Sequence, residues 1–154
     1  MTDLGVLVRA LNELYRLSGS AKVHADTVRR TGVQVSQTGL RTLSLVEDTP
    51  RISATEVAST LDVSQPTASR TLQQLEVDGL VTRHASDTDG RVSHYVVSAR
   101  GRRALAKVHE YHEERLRFAL EGLDGARRSE LSGAVTELVN RLTAAAQPRN
   151  RRTA

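Results

Sequence analysis

The chain has 154 residues, 38% of them hydrophobic and 26% charged, which is enough for one folding unit with its own core and little more. The 22 Lys and Arg exceed the 18 Asp and Glu by a net charge of +4, a cationic bias that favours a polyanionic partner without identifying one. The absence of cysteine excludes disulfides, thiolate nucleophiles and Cys-based zinc or redox sites. No apolar run reaches the ~20 residues of a bilayer span and no signal-peptide pattern opens the chain, so a cytoplasmic protein with no membrane partner is expected.

Leu4, Leu7, Leu11 and Leu14 recur at helical spacing among polar residues and predict an amphipathic N-terminal helix within residues 1–32, with Gly19 and Ser20 as a candidate interruption. Leu40, Leu43 and Val46 predict a short helix that begins after Ser36 and stops before Pro50, because a residue preceding proline is pushed out of the helical region. Ser53 and Glu56 have the spacing of a capping box, and Val57, Ala58 and Leu61 give the helix they open a buried face. This helix is predicted to end by Asp62. Ser64 then caps the next, Pro66 fits its first turn, Ala68, Leu72 and Leu75 face inward, and Gly79 terminates it.

After Leu80 the pattern turns extended. Val81–Ala85 and Val92–Val97 flank Asp89-Gly90, a strong two-residue hairpin signal. Ser98 caps a long helix with Leu105, Val108, His112, Leu116 and Ala119 along one side, and the stretch from Gly122 to Gly125 breaks it. A last helix carries Leu131, Val135, Leu138, Val139 and Leu142 before Pro148 and a basic tail over residues 147–154. The fold class expected is mainly α with a small β-hairpin.

Two short capped helices joined by Asp62-Val63-Ser64 match a helix-turn-helix, and the hairpin that follows would be its wing. With Ala68, Leu72 and Leu75 inward, Gln65, Thr67, Arg70 and either Gln73 or Gln74 face outward, and residues 64–75 hold no carboxylate to repel a phosphate backbone. Arg pairs with guanine and Gln with adenine, each good bidentate pair worth about 1–3 kcal/mol of discrimination. The hydroxyls of Ser64, Thr67 and Ser69 suit phosphates or thymine, and the free amides at the helix start, beside Pro66, can anchor a phosphate. Arg83 lies on the same side. Arg91 stands just past the turn, where a guanidinium can enter a minor groove, with Asp89 placed to orient it. Aromatic residues make up only 3% of the chain, too few for a platform that stacks unpaired bases, so duplex DNA is the better partner.

The runs Ser53-Ala54-Thr55-Glu56-Val57-Ala58, Val63-Ser64-Gln65-Pro66-Thr67-Ala68-Ser69-Arg70 and Leu75-Glu76-Val77-Asp78-Gly79-Leu80-Val81-Thr82-Arg83 resemble the multiple-antibiotic-resistance regulator (MarR) family. So do Asp89-Gly90-Arg91 and Val97-Ser98-Ala99-Arg100-Gly101, with Val97-Ser98 standing where the family usually has Leu-Thr. The resemblance implies a winged helix-turn-helix over residues 36–101, flanked by dimerisation helices within 1–32 and 102–146, in one MarR-like domain. It implies a homodimeric transcription regulator, read here as a repressor of an inverted-repeat operator. It also implies a cleft for a small-molecule effector. His24, Arg29, Arg30 and Arg41 are its polar candidates, with Tyr15 and Leu40 as walls, although a solvated helix face is the better account of the arginines.

His109, His112 and Glu113 share one helix face and offer two or three ligands, short of the set a metal requires, so no metal or other cofactor is assigned. No nucleophile–base pair, carboxylate cluster or phosphate-cradling glycine loop points to an enzyme. The rival reading is a winged helix that contacts protein, or binds DNA without sequence preference.

Overall fold

The computed structural model describes residues 2–85 and 92–146. Asp89, Gly90, Arg91 and the 147–154 tail lie outside the described residues. The described chain forms two compact units, one through Glu113 and one from Glu114.

In the first unit α1 spans Asp3–Ser18, α2 Ala21–Thr31, α3 Gln37–Asp48, α4 Ala54–Leu61 and α5 Gln65–Val77. Gly19 and Ser20, the candidate interruption, separate α1 from α2. Helix α2 was not foreseen because its buried position is Thr27, a polar residue that an apolar-stripe search passes over; its hydroxyl donates to the Val23 carbonyl at 3.0 Å and so enters the interior satisfied. Gly32, with φ of 70°, ends α2 in the left-handed conformation that glycine adopts at no steric cost.

Three strands follow the order β1 (Ile52–Ser53), β3 (Ser93–Val97), β2 (Val81–Ala85), all antiparallel. Tyr95 at the centre faces both Ile52 and Arg83 in register. The two-residue β1 is too short to show a period in the sequence.

One apolar core joins these elements: Leu43 and Val46 from α3, Val57 from α4, Leu72 and Leu75 from α5, Val81, Tyr95 and Val97 from the sheet, and Leu105 from α6 (Ala99–Ala119). The predicted inward trio Ala68, Leu72 and Leu75 is buried to 1% exposure or less. Along α6 the buried positions are Gly101, Leu105, Val108 and Tyr111; of the predicted stripe His112, Leu116 and Ala119 are exposed, and Tyr111 turns inward in place of His112. The longer tyrosine ring closes the core there, and its hydroxyl donates to the Asp26 carboxylate of α2. That hydrogen bond, then the one from Arg29, holds the Asp26 carboxyl below the usual aspartate range.

The second unit contains the end of α6 and α7, which spans Gly125–Ala146. Asp124 caps α7 by accepting from the Arg127 amide at 2.8 Å. Leu131, Val135, Val139 and Leu142 recur along α7 as predicted, yet each is at least 43% exposed. Leu116 and Phe118 of α6 are exposed too. No described helix is long and apolar enough to cross a membrane.

Candidate nucleic-acid interface

The predicted capping box at α4 is formed: the Glu56 carboxylate accepts from the Ser53 amide at 2.8 Å, and Ser53 Oγ accepts from the Glu56 amide at 3.3 Å. Bonding to the Ser53 hydroxyl and then to its amide lowers the Glu56 carboxyl below the usual glutamate range. Asp62 takes a left-handed φ of 52°, which turns the chain sharply enough for the Val63 amide to reach the Ala58 carbonyl at 3.0 Å. Helix α5 thus starts within a few residues of the end of α4, and the two pack against each other.

At the start of α5, Ser64 Oγ accepts from the Thr67 amide at 3.3 Å and lies 2.8 Å from the Thr67 hydroxyl. Gln65 Nε2 donates to Thr55 Oγ1 at 3.1 Å, so α4 holds the leading side chain of α5. Thr55 is a site residue that sequence reasoning missed, since a partner ten positions away in another helix leaves no periodic signal. Pro66, Thr67, Arg70 and Gln73 are exposed on the side opposite Ala68 and Leu72. Arg70 has no hydrogen bond or ion pair with any described residue. Ser69 is half-buried on the flank. Gln74 donates to the Asp78 carboxylate at 3.0 Å, so of the two glutamines weighed from the sequence Gln73 is the uncommitted one.

In the wing, Arg83 is exposed and its Nε donates to Ser93 Oγ across the β2–β3 pair at 2.8 Å, which aims the guanidinium along the strands. Asp89 and Arg91 fall outside the described residues. The antiparallel pairing of Ala85 with Ser93 brings together the two strand ends the predicted turn would join.

Behind the head, Ser98 Oγ donates to the Gly79 carbonyl at 2.7 Å and accepts from the Gly101 amide at 2.9 Å, so the cap of α6 also fixes the end of α5. A separate cleft of about 420 Å³ gathers Tyr15 of α1, His24 of α2, and Leu40 and Arg41 of α3, four of the six residues predicted for a ligand, with His112 beside them. Arg29 and Arg30 do not line it, and Arg29 pairs with Asp26 on the surface. His109, His112 and Glu113 assemble no metal site: no group of three ligating side chains with the geometry to hold an ion occurs among the described residues.

A helix-turn-helix packed on a three-stranded antiparallel sheet, with the polar face of its second helix left open, defines a winged helix-turn-helix protein. Residues 32–92 match the model of the MarR family. No curated protein matches the sequence significantly. Among solved structures the chain is similar to RV1404 from Mycobacterium tuberculosis, with a TM-score of 0.74 at 22% identity over 98% of this chain and 99% of that one. It is similar to the transcriptional regulator Tm0710 from Thermotoga maritima, at 0.69 and 21% identity over 92% and 96%. It is also similar to Streptococcus pneumoniae FabT in complex with DNA, at 0.62 and 19% identity over 93% and 99%. These likenesses establish a shared fold.

Proposed function

We propose that the chain is a sequence-specific, duplex-DNA-binding transcription regulator, acting as a homodimeric repressor that a small-molecule effector releases from its operator. The observation that carries this reading is the open face of α5, where Thr67, Arg70 and Gln73 stand exposed on a helix whose first eleven residues carry no carboxylate. Ser64, Gln65, Pro66 and Ser69 place the helix start against phosphates, Arg70 and Gln73 meet base edges, and Arg83 with Asp89 and Arg91 forms the wing contact. FabT, of the same fold, was solved with DNA bound.

The dimer is supported by apolar surface that neither unit covers. Leu4, Val8 and Leu14 of α1 are each more than half exposed, and the stripe on α7 is similarly bare. Burying one such leucine fully contributes about 1.5–3 kcal/mol, so a second copy laid on these helices recovers a large stabilisation. A twofold pair of heads reads an inverted repeat with half-sites about one helical turn apart. The Tyr15–His24–Leu40–Arg41 cleft, with one cation and an aromatic wall, suits a small anionic or aromatic effector.

The test is fluorescence anisotropy with duplexes tiling the DNA upstream of the gene, at several salt concentrations with random duplex as competitor. Site-selective, salt-dependent binding is expected, and Arg70→Ala should reduce the preference for operator over random DNA by about 5- to 150-fold, the equivalent of 1–3 kcal/mol. Equal affinity for all duplexes would refute sequence-specific regulation and favour an architectural or protein-binding role.

A further inference from the structure

Gln65, at the first position of α5, and Thr55, at the second position of α4, are ten residues apart and both exposed. The left-handed turn at Asp62, closed by the Val63 amide on the Ala58 carbonyl at 3.0 Å, returns the chain so that these two side chains meet. Gln65 Nε2 donates to Thr55 Oγ1 at 3.1 Å. Rival partners in the same turn are taken. The Thr67 amide donates to Ser64 Oγ, the Ala68 amide donates to the Ser64 carbonyl, and Pro66 has no amide hydrogen to give. None of these three positions offers a donor that would turn the Gln65 carboxamide back onto its own helix.

The consequence of the bond follows from the chemistry of a carboxamide. The last torsion of glutamine is broad and two-fold, so a free side chain presents its oxygen and its nitrogen in either order. In the major groove adenine offers the N7 acceptor beside the N6 donor, whereas guanine offers two acceptors, N7 and O6. An untethered carboxamide can meet either base, adenine with its oxygen and one N–H, guanine through its NH2 group alone. Once Thr55 takes one N–H and fixes which way the amide faces, one N–H and Oε1 remain. That remainder satisfies adenine and leaves the second acceptor of guanine unmet, and a polar group buried without its partner is costly. The bond to Thr55 is modest while water surrounds it and strengthens as a duplex excludes water, which is when the choice of base is made.

We infer that Thr55 is a positioning residue that makes Gln65 selective for adenine, a determinant of base choice carried by the supporting helix of the head. The inference rests on the proposed reading of duplex DNA by α5. The backbone at the start of α5 meets a phosphate, and the Gln65 carboxamide, a separate group, meets the base edge beside it.

The experiment selects bound duplexes from a randomised pool with the full chain, then measures anisotropy on the enriched duplex and its single-base-pair variants. The base pair at which Gln65→Ala flattens the preference is the one Gln65 reads, and the enriched base there should be adenine. Thr55→Val, which keeps the shape and removes the hydroxyl, should lower the preference for adenine over guanine at that pair by about fivefold or more, the lower end of what a bidentate contact is worth. Preferences at all other pairs should be unchanged, and Thr55→Ser should retain the parental preference. In the Gln65→Ala background Thr55→Val should have no further effect, a result that a purely structural role for Thr55 does not produce. Both positions are exposed, so the substitutions leave the core intact. The inference is overturned if Thr55→Val keeps the parental profile, if it weakens every duplex alike, or if it acts equally with and without Gln65. It is overturned too if Gln65→Ala flattens no pair or if the base enriched at that pair is not adenine. A parent chain that enriches no sequence at all refutes the DNA-reading proposal itself, whereas the other failures leave that proposal standing.

Discussion

Replacing Gly101 by alanine sets two physical effects of opposite sign against each other. In an isolated helix the change stabilises by about 1 kcal/mol, because glycine pays more backbone entropy than alanine. At Gly101 an added Cβ would lie 2.1 Å from the Leu80 carbonyl oxygen and 2.8 Å from Val97 Cγ1. The oxygen belongs to the backbone and cannot swing aside. It accepts from the Ser98 amide at 3.0 Å, and the Leu80 amide is itself tied to the Leu75 carbonyl at 2.8 Å. Relief therefore requires α6 to lift from the α5–β2 turn, at about 1–3 kcal/mol for overpacking and about 1 kcal/mol more for the stretched hydrogen bond. Against the propensity gain, a net loss of about 1–3 kcal/mol is expected. Urea unfolding followed by circular dichroism, at one fixed protein concentration because the proposed dimer makes stability concentration-dependent, measures it. An unchanged or raised midpoint would show that α6 does not rest on Leu80 and would refute this account of how the head is fastened.

Two further substitutions probe the caps. Ser98→Ala removes the N-cap of α6 and leaves the Gly79 carbonyl without its donor, so a loss of about 1–2 kcal/mol is expected in the same urea assay, and Ser98→Thr should restore most of it. Glu56→Gln tests the capping box through pH. Because the Glu56 carboxyl is lowered in the fold, its contribution is present above the ordinary glutamate value and fades as pH falls through the lowered one. The stability gap between parent and variant should thus be widest near neutrality and close in acid, and a gap independent of pH would mean that the carboxylate is not what holds the Ser53 amide.

Residues 53 to 80 were legible because each boundary carries its own chemistry: Ser53 with Glu56, Ser64 with Pro66, and Gly79 are local signals whose bonds close within four residues. The inward trio on α5 followed from period alone. What the sequence hid depends on distant partners. Helix α2 buries a threonine, β1 exists only because Ile52 faces Tyr95, and Tyr111 displaced His112 from the interior because its hydroxyl finds Asp26, 85 positions away. The ligand cleft was half legible. Tyr15, His24, Leu40 and Arg41 converge on the cleft, whereas Arg29 and Arg30, for which a solvated helix face is the better account, do not line it. The outward apolar residues of α1 and α7 were legible as stripes, while their exposure is a property of the folded units.

Helix α3 is where the two proposed activities meet. One side of it supplies Leu40 and Arg41 to the Tyr15 cleft, and the other packs Leu43 and Val46 into the core shared with α5. Gly39 narrows the margin further, since a side chain there would meet Val35 Cγ1 at 2.6 Å. A ligand with equal affinity for the DNA-competent and DNA-incompetent states would shift nothing, however tightly it bound. Release of the operator therefore requires that the cleft be a better fit in one of two placements of α3, with α5 carried along by Leu72 and Leu75. The coupling needed is small. A preference of about 1–3 kcal/mol for one placement changes operator affinity by about 5- to 150-fold, and the same factor must appear as weaker effector binding to the DNA-bound protein.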